Sequence, residues 1–241
     1  MKLFFCVLSW FLAASLSAWD LNTAQTWEAT LAPVMQNENI SQLEHLIVTD
    51  PATTLTQRAI LGIAEHNLER KVPHQGWATK AVNTLTPLTQ ENLGDELEAI
   101  LLPYLGSSLG LQAQDDFFPL TKLLEVNHAF SVLDQAVQRY GQFSYYPQLI
   151  RASVDMDVPS FFNKAGQAKE DLETLLAWRN THPEALPSGA LAQVHLLWGL
   201  HEKNDGHREP ALAAWKLALQ EDPQQVGAGK KAAEYLTRYQ N

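Results

Sequence analysis

The chain has 241 residues, 46% of them apolar and 18% charged, and its 17 Lys and Arg against 27 Asp and Glu give a formal net charge of −10. With twelve Gly and twelve Pro scattered along it, it is neither disordered nor collagen-like, and it has ample apolar material for a core. An isoelectric point near 5.2 argues against nucleic-acid binding, which needs positive charge for the phosphates, and against docking on an anionic membrane surface.

The first element in chain order reads as a signal peptide. Met1-Lys2 is a short positive start, residues 3–16 are an apolar run, and Ser17-Ala18 supply small residues before Trp19-Asp20. That run is shorter than the roughly 18 to 20 residues that cross a bilayer. Cleavage after Ala18 is expected, with cleavage after Ser17 as the alternative, which leaves 19–241 as one domain. Cys6 is the only cysteine and lies within the apolar run, so the mature chain has no thiol for a disulfide, a nucleophile or a metal. No later run is apolar enough to span a membrane. The product is expected to be exported without stable membrane insertion, to the periplasm or beyond the cell.

From there the apolar spacing is helical and never settles into the two-residue alternation of a strand, so the expected fold is all-α. Ser41-Gln42-Leu43-Glu44 has capping-box spacing before a short helix that stops at Asp50-Pro51. Thr53 or Thr54 caps the next helix, which runs to about Arg70. Further helices are predicted over 96–114, 120–140, 146–158, 165–179, 188–204, 210–220 and 226–239. Their separators are Asp115-Asp116, Gly141-Gln142, Pro183 with Pro187, Asp205-Gly206 and Asp222-Pro223.

Helices joined in short pairs invite a search for repeats. Within residues 192–225, Gly199 is followed at fixed intervals by Ala211, Trp215, Ala218 and Pro223. Glycine and alanine allow two helices to approach closely, the tryptophan fills the space beside them, and the proline ends the second helix. This segment resembles a tetratricopeptide repeat (TPR), although Glu202 and His195 stand where that family favours aromatic residues. Degenerate copies set Gly106 with Ala129, Leu133, Ala136 and Gly141, Gly62 with Ala81, Leu85 and Leu88, and Ala152 with Ala168, Leu172 and Leu175. Relative to the last hairpin these copies carry insertions of 11, 7 and 4 residues. The longest contains Asp115-Asp116-Phe117-Phe118-Pro119, read as a loop or bent helix start. Tyr104-Leu105-Gly106-Ser107 and Pro159-Ser160-Phe161-Phe162 also resemble segments of exported bacterial TPR-like proteins of unassigned activity.

The resemblance implies an α-solenoid of stacked antiparallel hairpins with a concave groove lined by each hairpin's first helix. On the family's pattern that groove presents His66, Asn67, Ser107, Tyr146, Ser153, Asp157, Gln193, Lys203 and Asn204. It lacks the clustered Lys and Arg with which some TPR domains grip a terminal carboxylate.

The chemistry-bearing residues read mostly as structural. His195, His201 and His207 recur every six residues, which turns ~600° on a helix and cannot bring them to one face. His201-Glu202 opens like a zinc-protease motif, but Asp205 stands where the second histidine belongs. Gly227-Ala228-Gly229-Lys230-Lys231 has no preceding strand and reads as a helix start, not a phosphate loop. The pairs Asp115 with Asp116 and Asp155 with Asp157 read as solvated loop or capping carboxylates, and Ser107-Ser108 has no nucleophile-elbow pattern. Phe117-Phe118, Tyr145-Tyr146 and Phe161-Phe162 have two readings, as inter-hairpin core or as a binding rim.

The expected protein is therefore not an enzyme and needs no cofactor or metal. It is a scaffold that binds a protein or peptide in the cell envelope, as part of a transport or assembly complex. The alternative is a small-ligand-binding accessory protein of a membrane transporter. An open groove favours the first, and a pocket walled by residues 115–119 and 159–162 favours the second.

Overall fold

A computed structural model describes residues 21–48 and 52–239, and the expected signal peptide, its cleavage site and the Asp50-Pro51 helix stop lie outside them. Among the described residues the chain forms eleven α-helices, one 3-10 turn and no strand. They are α1 (Leu21–Met35), α2 (Ile40–Val48), α3 (Leu55–Lys71), α4 (Trp77–Gln90), α5 (Asp95–Asp115), α6 (Pro119–Tyr140), α7 (Tyr146–Asp157), α8 (Ala165–Thr181), α9 (Ser188–Asn204), α10 (Arg208–Glu221) and α11 (Ala228–Tyr239). The 3-10 turn, Ser160–Phe162, lies between α7 and α8.

Local chemistry sets most of the helix starts. Thr54 caps α3 through a capping box, accepting from the Gln57 amide at 3.2 Å while Gln57 Oε1 accepts from the Thr54 amide at 3.0 Å. The box expected at Ser41 does not form. Asn39 caps α2 instead, its Oδ1 accepting from the Gln42 amide at 3.2 Å, so the helix begins one residue before the serine. α4 turns in over Gly76, whose φ of 74° suits glycine. The buried Glu69 carboxylate accepts from the amides of His74 and Ala78 at 2.7 and 3.0 Å across that turn.

Consecutive helices pair as α3 with α4, α5 with α6, α7 with α8 and α9 with α10. The odd-numbered helices also touch one another in succession from α3 to α11, and α1 and α2 pack on α3. The core is continuous from α1 to α7, then passes through a cluster shared by α7, α8 and α9 to one built by α9, α10 and α11. Polar ties cross the same interfaces. Arg151 on α7 bridges Asp134 on α6 and Asp171 on α8 at 2.8 and 2.7 Å, and Glu98 on α5 accepts from Arg139 and Tyr140 on α6.

The small residues singled out in the sequence make the closest helix approaches. A Cβ on Gly62 would lie 2.5 Å from Leu85, one on Gly106 would lie 2.8 Å from Leu133, and one on Gly199 would overlap Trp215. Ala81, Ala129, Ala168 and Ala211 are all buried beside them.

Residues 115–119 are the expected loop and helix start, but the loop itself accounts for none of the extra length. The turn between α5 and α6 spans only residues 116–118, no more than the 205–207 turn of the last hairpin. The extra residues lengthen the helices: α5 continues nine residues past Gly106 where α9 continues five past Gly199, and α6 runs ten residues before Ala129 where α10 runs three before Ala211. Those increments of four and seven residues approximate one and two helical turns, so the apolar stripes of both helices keep their inward phase. The first two turns of α6 overhang the body of the protein. By contrast, the four-residue insertion between Ala152 and Ala168 lies wholly between α7 and α8 and holds the 3-10 turn.

Candidate functional site

Three neighbouring cavities line the face made by the odd-numbered helices. The first, of about 590 Å³, lies among α5, α6, α7 and the 3-10 turn. Leu123, Val126 and Phe130 on α6, Ile150 and Val154 on α7, and Phe162 make most of its wall apolar. The second and third, of about 320 and 240 Å³, continue toward α9 and α11. Arg70 and Ser153 border all three. The polar wall of the first cavity therefore faces the other two, and its apolar wall is the overhang of α6 with the 3-10 turn.

Seven of the nine groove residues expected from the sequence border these cavities: His66, Asn67, Ser107, Tyr146, Ser153, Asp157 and Gln193. Lys203 and Asn204 do not border them. Lys203 lies over the Tyr239 ring and Asn204 is exposed in the last turn of α9. His66 and Asn67 are spoken for by the fold. Asn67 donates to the Val34 carbonyl at 2.8 Å, fastening α1 to α3. His66 is buried, with Nδ1 3.1 Å from Ser108 Oγ and its ring edge-on to Tyr104. Burial, reinforced by nearby Arg70, pushes His66 down to about 3, so the imidazole is neutral in ordinary buffers. Ser108 is fully buried and donates to the Tyr104 carbonyl at 2.8 Å, which removes it as a nucleophile for any bound molecule.

The main residue missed in the sequence is Arg70. It lies one turn beyond His66 on the same face of α3. Arg70 makes no hydrogen bond or close ion pair among the described residues, although Asp157 and Lys231 lie within electrostatic reach. The surrounding protein pushes the Asp157 carboxyl up, with Arg70 and Lys231 pulling the other way. The same crowding, reinforced by Arg70, pushes the Lys231 amine down.

The remaining motifs find other partners. The Gly227-to-Lys231 segment cradles the protein's own Asp222: its carboxylate accepts from the amides of Gly227 and Gly229 at 2.9 Å and of Val226 at 3.3 Å. Burial alone would raise this carboxyl, but the backbone amides together outweigh it and hold it below the usual range. His207 pairs with Glu202 at 2.8 Å and His201 faces Asp205 at 3.5 Å. No group of three potential metal ligands occurs among the described residues. Asp116 caps the Phe118 amide and Asp115 pairs with His74, whereas Asp155 is neither solvated nor a cap. Asp155 is buried to 3% exposure and neither carboxylate oxygen has a hydrogen-bond partner among the described residues.

The aromatic pairs divide. Tyr145 is buried, stacked on Tyr146 and bonded to Glu28 on α1 at 2.5 Å, which makes it core. Phe162 packs on Phe130 within the cavity wall. Phe117, at 89% exposure, is joined on the surface by Phe118, Leu120, Leu124 and Phe161, so this end of the molecule carries an exposed apolar rim beside the cavity. No helix among the described residues is long and apolar enough to cross a membrane. No protein-family model, curated protein or solved structure matches this chain, and its residues and their geometry carry the functional reading.

Proposed function

We propose that this protein is a noncatalytic binding protein of the cell envelope, built as a TPR-like α-solenoid, which holds a small ligand in the recess between α5, α6 and α7. The observation that carries this is the cavity of about 590 Å³ walled by Leu123, Val126, Phe161 and Phe162. Its size and mainly apolar lining with a few convergent polar groups are those of small-molecule sites. The solenoid reading is supported by the succession of odd-helix contacts and by the glycine-on-large-residue packing of three hairpins. Export is supported by residues 1–18, and the mature protein is expected to begin at Trp19 on N-terminal sequencing. A role as accessory to a membrane transporter follows from a soluble carrier placed in that compartment.

A second reading, a scaffold for a protein or peptide partner, is favoured by the exposed Phe117, Phe118, Leu120 and Leu124 beside the recess. The neutral fluorophore N-phenyl-naphthylamine distinguishes the two. The ligand reading expects one-to-one uptake with enhanced fluorescence, lost in Val126→Trp, which fills the cavity from a half-buried position without lowering the melting temperature. Absence of stoichiometric uptake by the wild-type protein would remove it and leave the scaffold.

A further inference from the structure

Three charged side chains line the recess, and they are not equivalent. Lys122 donates to the Gln114 carbonyl at 2.9 Å and is thereby committed to the fold. Asp157 and Arg70 sit on the polar wall, at the side shared with the neighbouring cavities. Arg70 has no hydrogen-bond partner there among the described residues, and Lys231 adds a second positive charge nearby. In a chain of formal net charge −10, one end of the recess carries the exposed Arg70 guanidinium with Asp157 beside it, Lys231 bordering only the two neighbouring cavities, and the other end is apolar. The apolar end leads to the exposed rim of Phe117, Phe118, Leu120, Leu124 and Phe161.

A ligand that satisfies both ends has one anionic group for a planar guanidinium and one apolar chain for the wall of α6. A carboxylate suits Arg70 because the guanidinium fork matches its two oxygens. The chain removes apolar wall from water, which favours binding in proportion to the area covered. A cationic amphiphile would place like charge beside Arg70 and Lys231. A neutral alcohol offers the guanidinium no charge and leaves it to Asp157 and water.

From this placement we infer that the recess is a site for a single-chain fatty-acid carboxylate, its head on Arg70 and its chain against Leu123, Val126, Phe130 and Phe162. The inference rests on the small-ligand reading of the same cavity and adds the ligand's charge and shape. The rim supplies an apolar approach by which the chain can slide in from a lipid surface or a micelle. Asp157 opposes the carboxylate and limits its affinity.

Calorimetric titration with laurate, dodecanol and dodecyltrimethylammonium tests it. Laurate is expected to bind one-to-one and at least about tenfold more tightly than dodecanol, the range of a charge-assisted hydrogen bond, and the cation is expected not to bind. Arg70→Gln should erase the preference for laurate and leave dodecanol unchanged. Asp157→Asn should tighten laurate by about threefold, the scale of one partly screened charge. Lys216→Gln, on the exposed face of α10 away from the recess, should alter neither. Equal binding of laurate and dodecanol, or a laurate preference that survives Arg70→Gln, overturns the inference. If N-phenyl-naphthylamine is still taken up in that case, the cavity reading stands and only the carboxylate assignment falls. If neither probe binds, both fall.

Discussion

Replacing Asp155 by Asn is expected to stabilise the protein at pH 8 by an amount of order 4 kcal/mol and to leave it unchanged near pH 4. The carboxyl is buried on α7 with both oxygens unpartnered, and this desolvation pushes it up to about 7, against the attraction of Lys164 and Arg151. An ordinary aspartate in the unfolded chain titrates near 3.9. Between these values the folded state binds a proton that the unfolded state does not. Stability therefore falls as pH rises from about 4 to about 7 and is flat above. About three pKa units at ~1.4 kcal/mol each set the magnitude, and asparagine, of the same shape and uncharged, escapes the penalty. In a domain of this size the midpoint at pH 8 should rise by roughly 8–16 °C. Thermal melts of both proteins across pH 4 to 8 check this. A variant less stable than the wild type at pH 8 would mean that Asp155 is held as an anion by Arg151 or Lys164.

Trp215→Ala should cost about 3–5 kcal/mol, the range for truncating a large buried aromatic residue. The indole is fully buried, lies against Gly199, stacks on Tyr235 with ring centroids 4.9 Å apart, touches Tyr239 at 5.3 Å, and donates to the Leu196 carbonyl at 3.3 Å. It is thus the common packing partner of α9, α10 and α11. Because those three helices share a core cluster of their own, the loss should fall on them first. Hydrogen exchange is expected to show lost protection over residues 188–239 with α3 to α6 still protected. Uniform loss along the whole chain would instead mean that the clusters open as one unit.

How far the sequence carried depends on whether a feature is decided locally. Thr54 and Gln57 lie within one turn, and the steps from Gly62, Gly106 and Gly199 to their large partners recur at legible intervals. The all-helical fold and most helix bounds follow from such features. α1 and α4 did not follow: α1 runs on directly from the residues read as a signal peptide, and each has an internal proline, Pro33 and Pro87, of the kind that reads as a helix stop. Ser41 lost to Asn39 since either side chain can cap and the choice is made by where the preceding chain arrives. At the recess, His66, Ser107, Ser153 and Asp157 come from the groove pattern that the TPR resemblance implies, and that pattern does not include Arg70, one turn past His66. Asp155 reads as a solvated carboxylate in the sequence because its burial is set by tertiary packing, which brings Lys164, Asp171 and Asp134 around it. The cavity is legible in the sequence only in outline, as a pocket walled by residues 115–119 and 159–162: Pro119, Pro159, Phe161 and Phe162 do border it, but most of its apolar wall comes from Leu123, Val126 and Phe130 on α6 and Ile150 and Val154 on α7, which only tertiary packing brings together.

That overhang enlarges the molecule in steps fixed by helix geometry. One turn added to α5 and two to α6 raise the hairpin by about 6 and 10 Å without rotating a single core side chain away from its neighbour. The depth of the cleft and the identity of the buried contacts are therefore independent variables. A descendant could shorten or extend this crest a coil at a time, resizing its cargo while the foundation beneath stayed in register.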